Sequence, residues 1–447
     1  MARQDRVLFG LTLALAAIGL MALYAALHGD RADSLVHPDF LRQSFWMAGG
    51  LMVMFLVGRI PFSTISGAAF MLYAGGILLL LATLAVAPTI RGARSWIPLG
   101  PIRLQASELI KPILALALAR FVAGRRIASK PLLGTAGAVA IGLLPFGLVL
   151  LQPDFGTALT YGSLILAIPY VAGLPTRFIT YGLAASFFFG GRILLGVAQG
   201  ELAMIPTEAG LFVTEPAAGI VVFGAACLIL ILAHLAERGT KRATGGSRPL
   251  FSRAWLIGLV LSLAAYLASF AAEELLKPYQ RRRILAFVAP GVDPQGASYN
   301  VLQSMIAVGS GGLFGRGPEK ATQTTLGFLP ERQTDFIFSV IGEAFGLFGA
   351  LLVIALFTLL VVRIATIGLR SASGTGALYT SGIGALFALH LFVNAGMTMG
   401  LVPVIGIPLP LLSYGGSSML STFLALGIVQ SIAVERRRAM LGSNVLP

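Results

Sequence analysis

Residues 7–27 read VLFGLTLALAAIGLMALYAAL, an apolar run without a single charge. At about 1.5 Å of rise per helical residue, a run of this length crosses the ~30 Å hydrocarbon core of a bilayer. It is too long for a secretory signal core, which has about 7–15 apolar residues, and no clear cleavage site follows it. It therefore reads as a first membrane span. Further apolar runs lie near 44–58, 65–87, 107–122, 132–151, 156–174, 177–197, 216–236, 253–275, 336–362, 377–399 and 412–434. The expectation is an all-α, polytopic integral membrane protein of about 12 transmembrane helices, a single transmembrane domain over residues 1–447.

The composition agrees. Of 447 residues, 57% are hydrophobic and 11% charged, whereas a soluble domain carries roughly 25% charged residues. The net charge of +14 fits the Lys/Arg-rich cytoplasmic loops of membrane proteins. No soluble basic domain or recognition motif accompanies it, so nucleic acid is not an expected partner. Cys227 is the only cysteine, which excludes a disulfide framework and a cysteine metal site. His28, His37, His234 and His390 show no metal-ligand spacing.

With the N-terminus inside, the inner loops hold Arg59, Arg125, Arg126, Lys130, Arg177, Arg238, Lys241, Arg242, Arg248, Arg363, Arg370 and Arg436 to Arg438. Both termini then fall in the cytoplasm. This orientation puts a large loop, 276–335, on the outside. There PYQRRRILAFVAPGVDPQGASYN (278–300) gathers Arg281, Arg282 and Arg283 ten residues before Asp293. Topology alone would deplete positive charge there. One reading is an anionic ligand at the outer surface. The other is a solvated loop whose arginines pair with its own acids or with lipid headgroups.

Four more segments on the same side carry polar residues where lipid would exclude them. In GARSWIPLGPIRLQASELIKPILALALAR (92–120), Trp96 suits an interface, Arg103 precedes the span, and Glu108 and Lys111 share a helix face three residues apart. They form either a pair that pins helices or one side of a cationic cleft. In LLQPDFGTAL (150–159), Asp154 stands at a tight turn as an expected helix cap. FLPERQTDFIFSVIGEAFG (328–346) brings Glu331, Arg332 and Asp335 to the edge of a span and puts Glu343 inside it. GLVPVIGIPLPLLSYGGSS (400–418) is Pro- and Gly-rich, so it is tolerable at membrane depth only as a re-entrant or cleft-lining loop. IAVGSGGLFGRG (306–317) resembles a phosphate cradle but lacks the Gly-Lys-Ser/Thr ending and the strand–helix context. It reads instead as irregular backbone near the membrane.

GARSWIPLGPIRLQASELIK, QPDFGTA, YQRRRI…DPQGASYNVLQSMIAVGSGGLFGRG, FLPERQTDFIFSVIGEAFG and GLVPVIGIPLPLLSYGGSS together resemble the SEDS proteins, the shape, elongation, division and sporulation family, in order and over nearly the whole chain. FLPER and the closing block resemble its RodA-like branch. The resemblance implies a peptidoglycan glycosyltransferase in the bacterial cytoplasmic (inner) membrane, serving cell-wall elongation and cell shape. Such an enzyme polymerises lipid II at the periplasmic face beside a class B penicillin-binding protein.

On that resemblance the catalytic carboxylate falls on Asp293 and the basic pair around QASE on Arg103 and Lys111. Arg281, Arg282 and Arg283 are further candidates for the pyrophosphate. Trp96, Glu108, Asp154, Glu331, Asp335 and Glu343 would support the cleft. The resemblance leaves room for a divalent cation (Mg or Mn) bridging the pyrophosphate and Asp293, although no ligand cluster in the sequence requires one.

Three departures stand out. The family's usual core has ten spans, so a helix pair is expected as an insertion within about 177–253. Ala106 replaces a proline, and Gln333 a histidine, in the family's motifs. Two other functions fit many spans with buried charge: a lipid II flippase or transporter, and a non-catalytic scaffold for the penicillin-binding protein.

Overall fold

The computed structural model describes residues 4–28, 37–89, 94–100, 102–124, 131–174, 176–202, 253–276, 278–289 and 298–443, with isolated positions 221, 225 and 228. The chain divides into two compact units, one of residues 1–174 and 300–447, the other of residues 175–299.

In the first unit the described helices are α1 (Arg6–Leu27), α2 (Pro38–Val57), α3 (Phe62–Gly67), α4 (Ala69–Val86), α5 (Ala106–Gly124), α6 (Pro131–Leu151) and α7 (Phe155–Val171). The second unit holds α8 (Thr176–Leu202), α9 (Arg253–Glu274) and α10 (Pro278–Val288). The chain then returns to the first unit with α11 (Tyr299–Ser310), α12 (Thr322–Thr325), α13 (Ile337–Leu369), α14 (Gly374–Thr398) and α15 (Gly416–Ser443). Among described residues, α1, α2, α4, α8, α13, α14 and α15 contain stretches long and apolar enough to cross a membrane, and α6 and α7 contain shorter apolar stretches. The protein is thus an all-α, multi-pass membrane protein. The span expected at 216–236 lies outside the described residues, apart from the helical positions 221, 225 and 228.

Helix α5 is the hub of the first unit. It packs on α4, α6, α7, α14 and α15, and most of its residues, the run Leu114–Ala119 included, are fully buried. Its alternating Leu and Ala let neighbouring backbones approach closely, which is how helices associate where lipid offers no hydrophobic drive. The buried charges Glu108 and Lys111 mark α5 as a helix surrounded by protein rather than by acyl chains.

Two local findings depart from the expectations. The stretch before α5 is a two-stranded antiparallel hairpin, β1 (Trp96–Leu99) with β2 (Ile102–Gln105), pairing Trp96 with Gln105. Among its described residues the expected outer loop 276–335 contains three further helices, α10, α11 and the short α12, and the three arginines lie on α10.

The glycine-rich run 306–317 also has a structural explanation. Helix α13 breaks at Gly346, where φ is +69°, a conformation that only glycine adopts without strain. The break frees backbone groups in mid-helix, and the run takes them up. Arg316 N donates to Glu343 O (2.9 Å), Gly317 N to Ala344 O (3.0 Å), Leu347 N to Gly312 O (2.9 Å) and Phe348 N to Leu313 O (3.1 Å). The glycines allow two backbones to meet, and a side chain at Gly311 or Gly315 would collide with α13.

In the second unit α8 packs along α9, and α10 rests on α8. Arg192 of α8 pairs with Glu273 of α9 and lies 3.5 Å from the centre of the Phe270 ring. Gly196 leaves room for that carboxylate, since a Cβ there would come within 2.7 Å of Glu273 Oε2.

Candidate active site

The floor of the site is set by a proline. Pro112 has no N–H to donate to the carbonyl four residues back, so the turn of α5 at Glu108 is left open. The Ser421 hydroxyl of α15 donates to Glu108 O at 2.7 Å and closes it. One helical turn away from that carbonyl, Lys111 Nζ donates to Glu108 Oε1 at 2.7 Å, with both side chains 4% exposed. His390 Nε2 of α14 lies 3.3 Å from the same ammonium, and its Nδ1 lies 2.7 Å from Leu386 O. A cavity of about 10 Å³ borders Glu108, Lys111 and His390. Taking two charges out of water is costly, and this pair offsets the cost by contact and by further hydrogen bonds.

A chain of polar contacts leads from this floor to the end of the bundle. The Tyr161 hydroxyl of α7 donates to Ser107 O at 2.7 Å. Asp154 caps α7, its Oδ1 accepting from Thr157 N (3.1 Å) while Oδ2 accepts from Gln105 Nε2 (2.8 Å). The Ser417 hydroxyl accepts from Gln105 N at 2.9 Å, so α15 also holds the hairpin. Above it Arg103 is exposed and Trp96 half-buried.

The Pro/Gly-rich segment 399–415 folds over the same end. Gly156 meets it closely, for a Cβ there would come within 2.7 Å of Ile405 O. Asn394 Nδ2 donates to both Asp335 O and Ile407 O, each at 2.8 Å. The Ser413 hydroxyl donates to Thr334 O (2.6 Å) and accepts from Leu409 N (2.8 Å). Tyr414 N donates to Gln333 O (2.8 Å), and the Tyr414 hydroxyl to Asp39 Oδ1 (3.0 Å). Burial, with the Asp39 carboxylate beside it, pushes that phenol above its ordinary pKa, so it stays a donor. Arg332 Nε donates to Ala26 O in the last turn of α1 at 2.7 Å. Glu331 holds a left-handed backbone (φ +52°), and its carbonyl accepts from the amides of residues 334 to 336.

The structure therefore brings Trp96, Arg103, Glu108, Lys111, Asp154, Glu331 and Asp335 to one end of the first unit through linked elements. Asp154 is spent on capping and on the hairpin. Glu343, fully buried, is an anchor, accepting from Gln323 N, Thr324 N and Thr324 Oγ1 at 2.8, 3.0 and 2.6 Å.

Arg281, Arg282 and Arg283 belong to the second unit. Consecutive helical residues point about 100° apart, so all three cannot form one clamp. Arg281 donates to Glu273 O at 3.0 Å at the end of α9, while Arg282 and Arg283 are exposed. Asp293, the expected catalytic carboxylate, lies outside the described residues. Among the described residues no group of three His, Cys, Asp or Glu could hold a metal.

Sequence reasoning missed His390 and Asn394. Their signal was present: two polar side chains four apart in an apolar run share one helix face, and polar groups in spans seek partners.

Comparison with known proteins agrees with this architecture. The family model for the FtsW, RodA and SpoVE cell cycle proteins matches residues 5–198 and 216–438. Peptidoglycan glycosyltransferase RodA of Treponema pallidum is 33% identical over 433 residues, 96% of this chain and 97% of its own. Peptidoglycan glycosyltransferase MrdB of Escherichia coli K12 is 32% identical over 399 residues, 89% and 86% of the two chains. A chain of a solved peptidoglycan synthase complex that coordinates polymerization and crosslinking superposes with a TM-score of 0.67 at 30% identity, covering 97% of this chain and 98% of that one. These matches, along nearly the full length, place the chain in the FtsW/RodA/SpoVE family.

Proposed function

We propose that the chain polymerises lipid II into glycan strands at the periplasmic face of the bacterial cytoplasmic membrane, with both termini in the cytoplasm. The supporting observation is the convergence of the hairpin, the Asp154 turn, residues 331–335 and the 399–415 segment on one end of the first unit, above a buried cation. Relatives named peptidoglycan glycosyltransferases support the reaction.

In this reading the 4-hydroxyl of an N-acetylglucosamine attacks the anomeric carbon of another lipid-linked chain, and undecaprenyl pyrophosphate leaves. A hydroxyl is a weak nucleophile, and Asp293 takes its proton as the bond forms. The leaving pyrophosphate gains charge. Arg103, exposed at the hairpin, offers a guanidinium fork to its oxygens, and Arg282 and Arg283 are further donors. Lys111 acts from beneath, as fixed positive charge in a site of low dielectric. Glu108 and His390 hold that ammonium in place. A divalent cation, Mg or Mn, would enter as counter-ion to the pyrophosphate. The partner is a class B penicillin-binding protein, a reading supported by the solved synthase complex.

Purified chain reconstituted in vesicles and supplied with lipid II tests the proposal. Glycan polymer is the expected product. Translocation of lipid II without polymer would make it a flippase, and neither activity, with the penicillin-binding protein present, would make it a scaffold.

A further inference from the structure

At its other end, the first unit contains a second charged cluster that the reaction does not use. Asp5, the N-cap of α1, accepts from Leu8 N (2.9 Å) and from Arg363 Nε (3.1 Å) and Nη2 (2.5 Å), and Arg437 Nη2 lies 3.6 Å away. Its oxygens are fully engaged. Asp5, Arg363 and Arg437, together with Arg370 and Arg436, line a cavity of about 260 Å³ whose apolar wall includes Ile367. Glu435, the neighbouring acid on α15, does not line it.

Among the described residues, four guanidinium groups and one carboxylate thus line the cavity. Arg436 Nε is buried and has no hydrogen-bond partner among the described residues, and neither Arg436 nor Arg370 has an acidic partner there. Helix dipoles do not account for this. Their pull on cations fades within the last turn, and Arg436 stands nearly two turns before Ser443, the end of α15. A buried donor without an acceptor is costly, and a cavity holding several waters' volume, at about 30 Å³ each, admits a larger group.

We propose that this cavity binds the phosphate of an anionic lipid headgroup. Guanidinium forks match phosphate oxygens in pairs, and basic pockets between spans at headgroup level are suited to anionic lipids. The cavity sits where α1 begins and α13 ends, which is headgroup level, and Ile367 offers an apolar wall to the glycerol and acyl portion. A soluble phosphate shares the headgroup's chemistry but would gain nothing from that wall. On the orientation proposed above, the lipid belongs to the cytoplasmic leaflet.

The test uses the full chain in detergent, with lipid retention read by native mass spectrometry and unfolding by a thermal scan. Phosphatidylglycerol is expected to bind and to raise the unfolding midpoint, whereas phosphatidylcholine and inorganic phosphate at equal concentration are not. Arg370→Gln/Arg436→Gln, which leaves the Asp5–Arg363 pair intact, should weaken phosphatidylglycerol binding roughly thirty-fold, about 2 kcal/mol. Should the double variant not fold, Arg436→Gln alone carries the test, with an expected loss of about five-fold. Equal binding by parent and variant overturns the site. Inorganic phosphate matching phosphatidylglycerol overturns its assignment to lipid.

Discussion

The two units each bury a cation against a carboxylate, and the two pairs differ in what surrounds them. Arg192 and Glu273 join two helices, α8 and α9, with Phe270 stacked against the guanidinium. Glu108 and Lys111 lie three residues apart on one helix, so they fasten nothing by pairing. Instead the Lys111 ammonium touches His390, and the turn that carries the pair is tied by Ser421 to α15 and by Tyr161 to α7. From there polar contacts run to Asp154, Gln105 and the hairpin. The difference teaches that a buried charge marks function by the network it joins. An ion pair within one helix contributes little to architecture, yet this one lies in a helix most of whose residues are buried.

The largest effect should come from Lys111→Met, which strands the buried Glu108 carboxylate. Breaking such a pair costs about 3–5 kcal/mol, and polymerisation should be lost as well. The sharper variant is Glu108→Gln/Lys111→Met, which removes both charges. Thermal unfolding should return close to the parent's, while the lipid II assay stays silent. Restored polymerisation would make the pair a packing element and erase the contrast. Arg192→Met should likewise cost about 3–5 kcal/mol. Here, however, Arg192→Met/Glu273→Gln should recover both stability and polymerisation, and a folded but inactive double variant would break the comparison from the other side.

Smaller effects are expected at the carboxylates that cap helices. Asp154→Ala should cost about 1 kcal/mol, seen as a lower unfolding midpoint, and Asp154→Asn should recover most of it. The smallest effect is the pH dependence that Asp5 contributes. Burial pushes its carboxyl up, but the hydrogen bonds from Arg363 and Leu8 and the charges of Arg363 and Arg437 outweigh that and hold it below the ordinary value of 3.8. Its contribution is present above that value and is lost as pH falls through the lower folded value. Asp5→Asn should therefore flatten the loss of stability below about pH 4 and leave neutral pH behaviour nearly level, in a pH series of thermal scans.

Much of this was legible in the sequence because lipid imposes a simple rule. A long uncharged run such as 7–27 has few fates, and Glu108, Lys111 and Glu343 stand out within such runs. The pairing of Glu108 with Lys111 follows from helical spacing alone. The hairpin at 96–105 was not legible, since four-residue strands leave almost no periodic trace. Nor was the use of 306–317, because its partner is a break in α13 some thirty residues later, and glycines that cradle phosphate look the same as glycines that admit a backbone. The three arginines read as a loop, but a helix there disperses them. His390 and Asn394 were not legible as partners because what they touch, the Lys111 ammonium and the carbonyls of Asp335 and Ile407, comes from other elements and meets α14 only in the fold.

The most direct test is the rate of lipid II polymerisation by the folded Asp293→Asn variant, assayed with the class B penicillin-binding protein and beside Asp154→Asn as a control. No polymer from Asp293→Asn, with polymer from the control, is the predicted result. Polymer at the parental rate from Asp293→Asn would contradict the assignment of the base and, with it, the reaction proposed for this end of the protein.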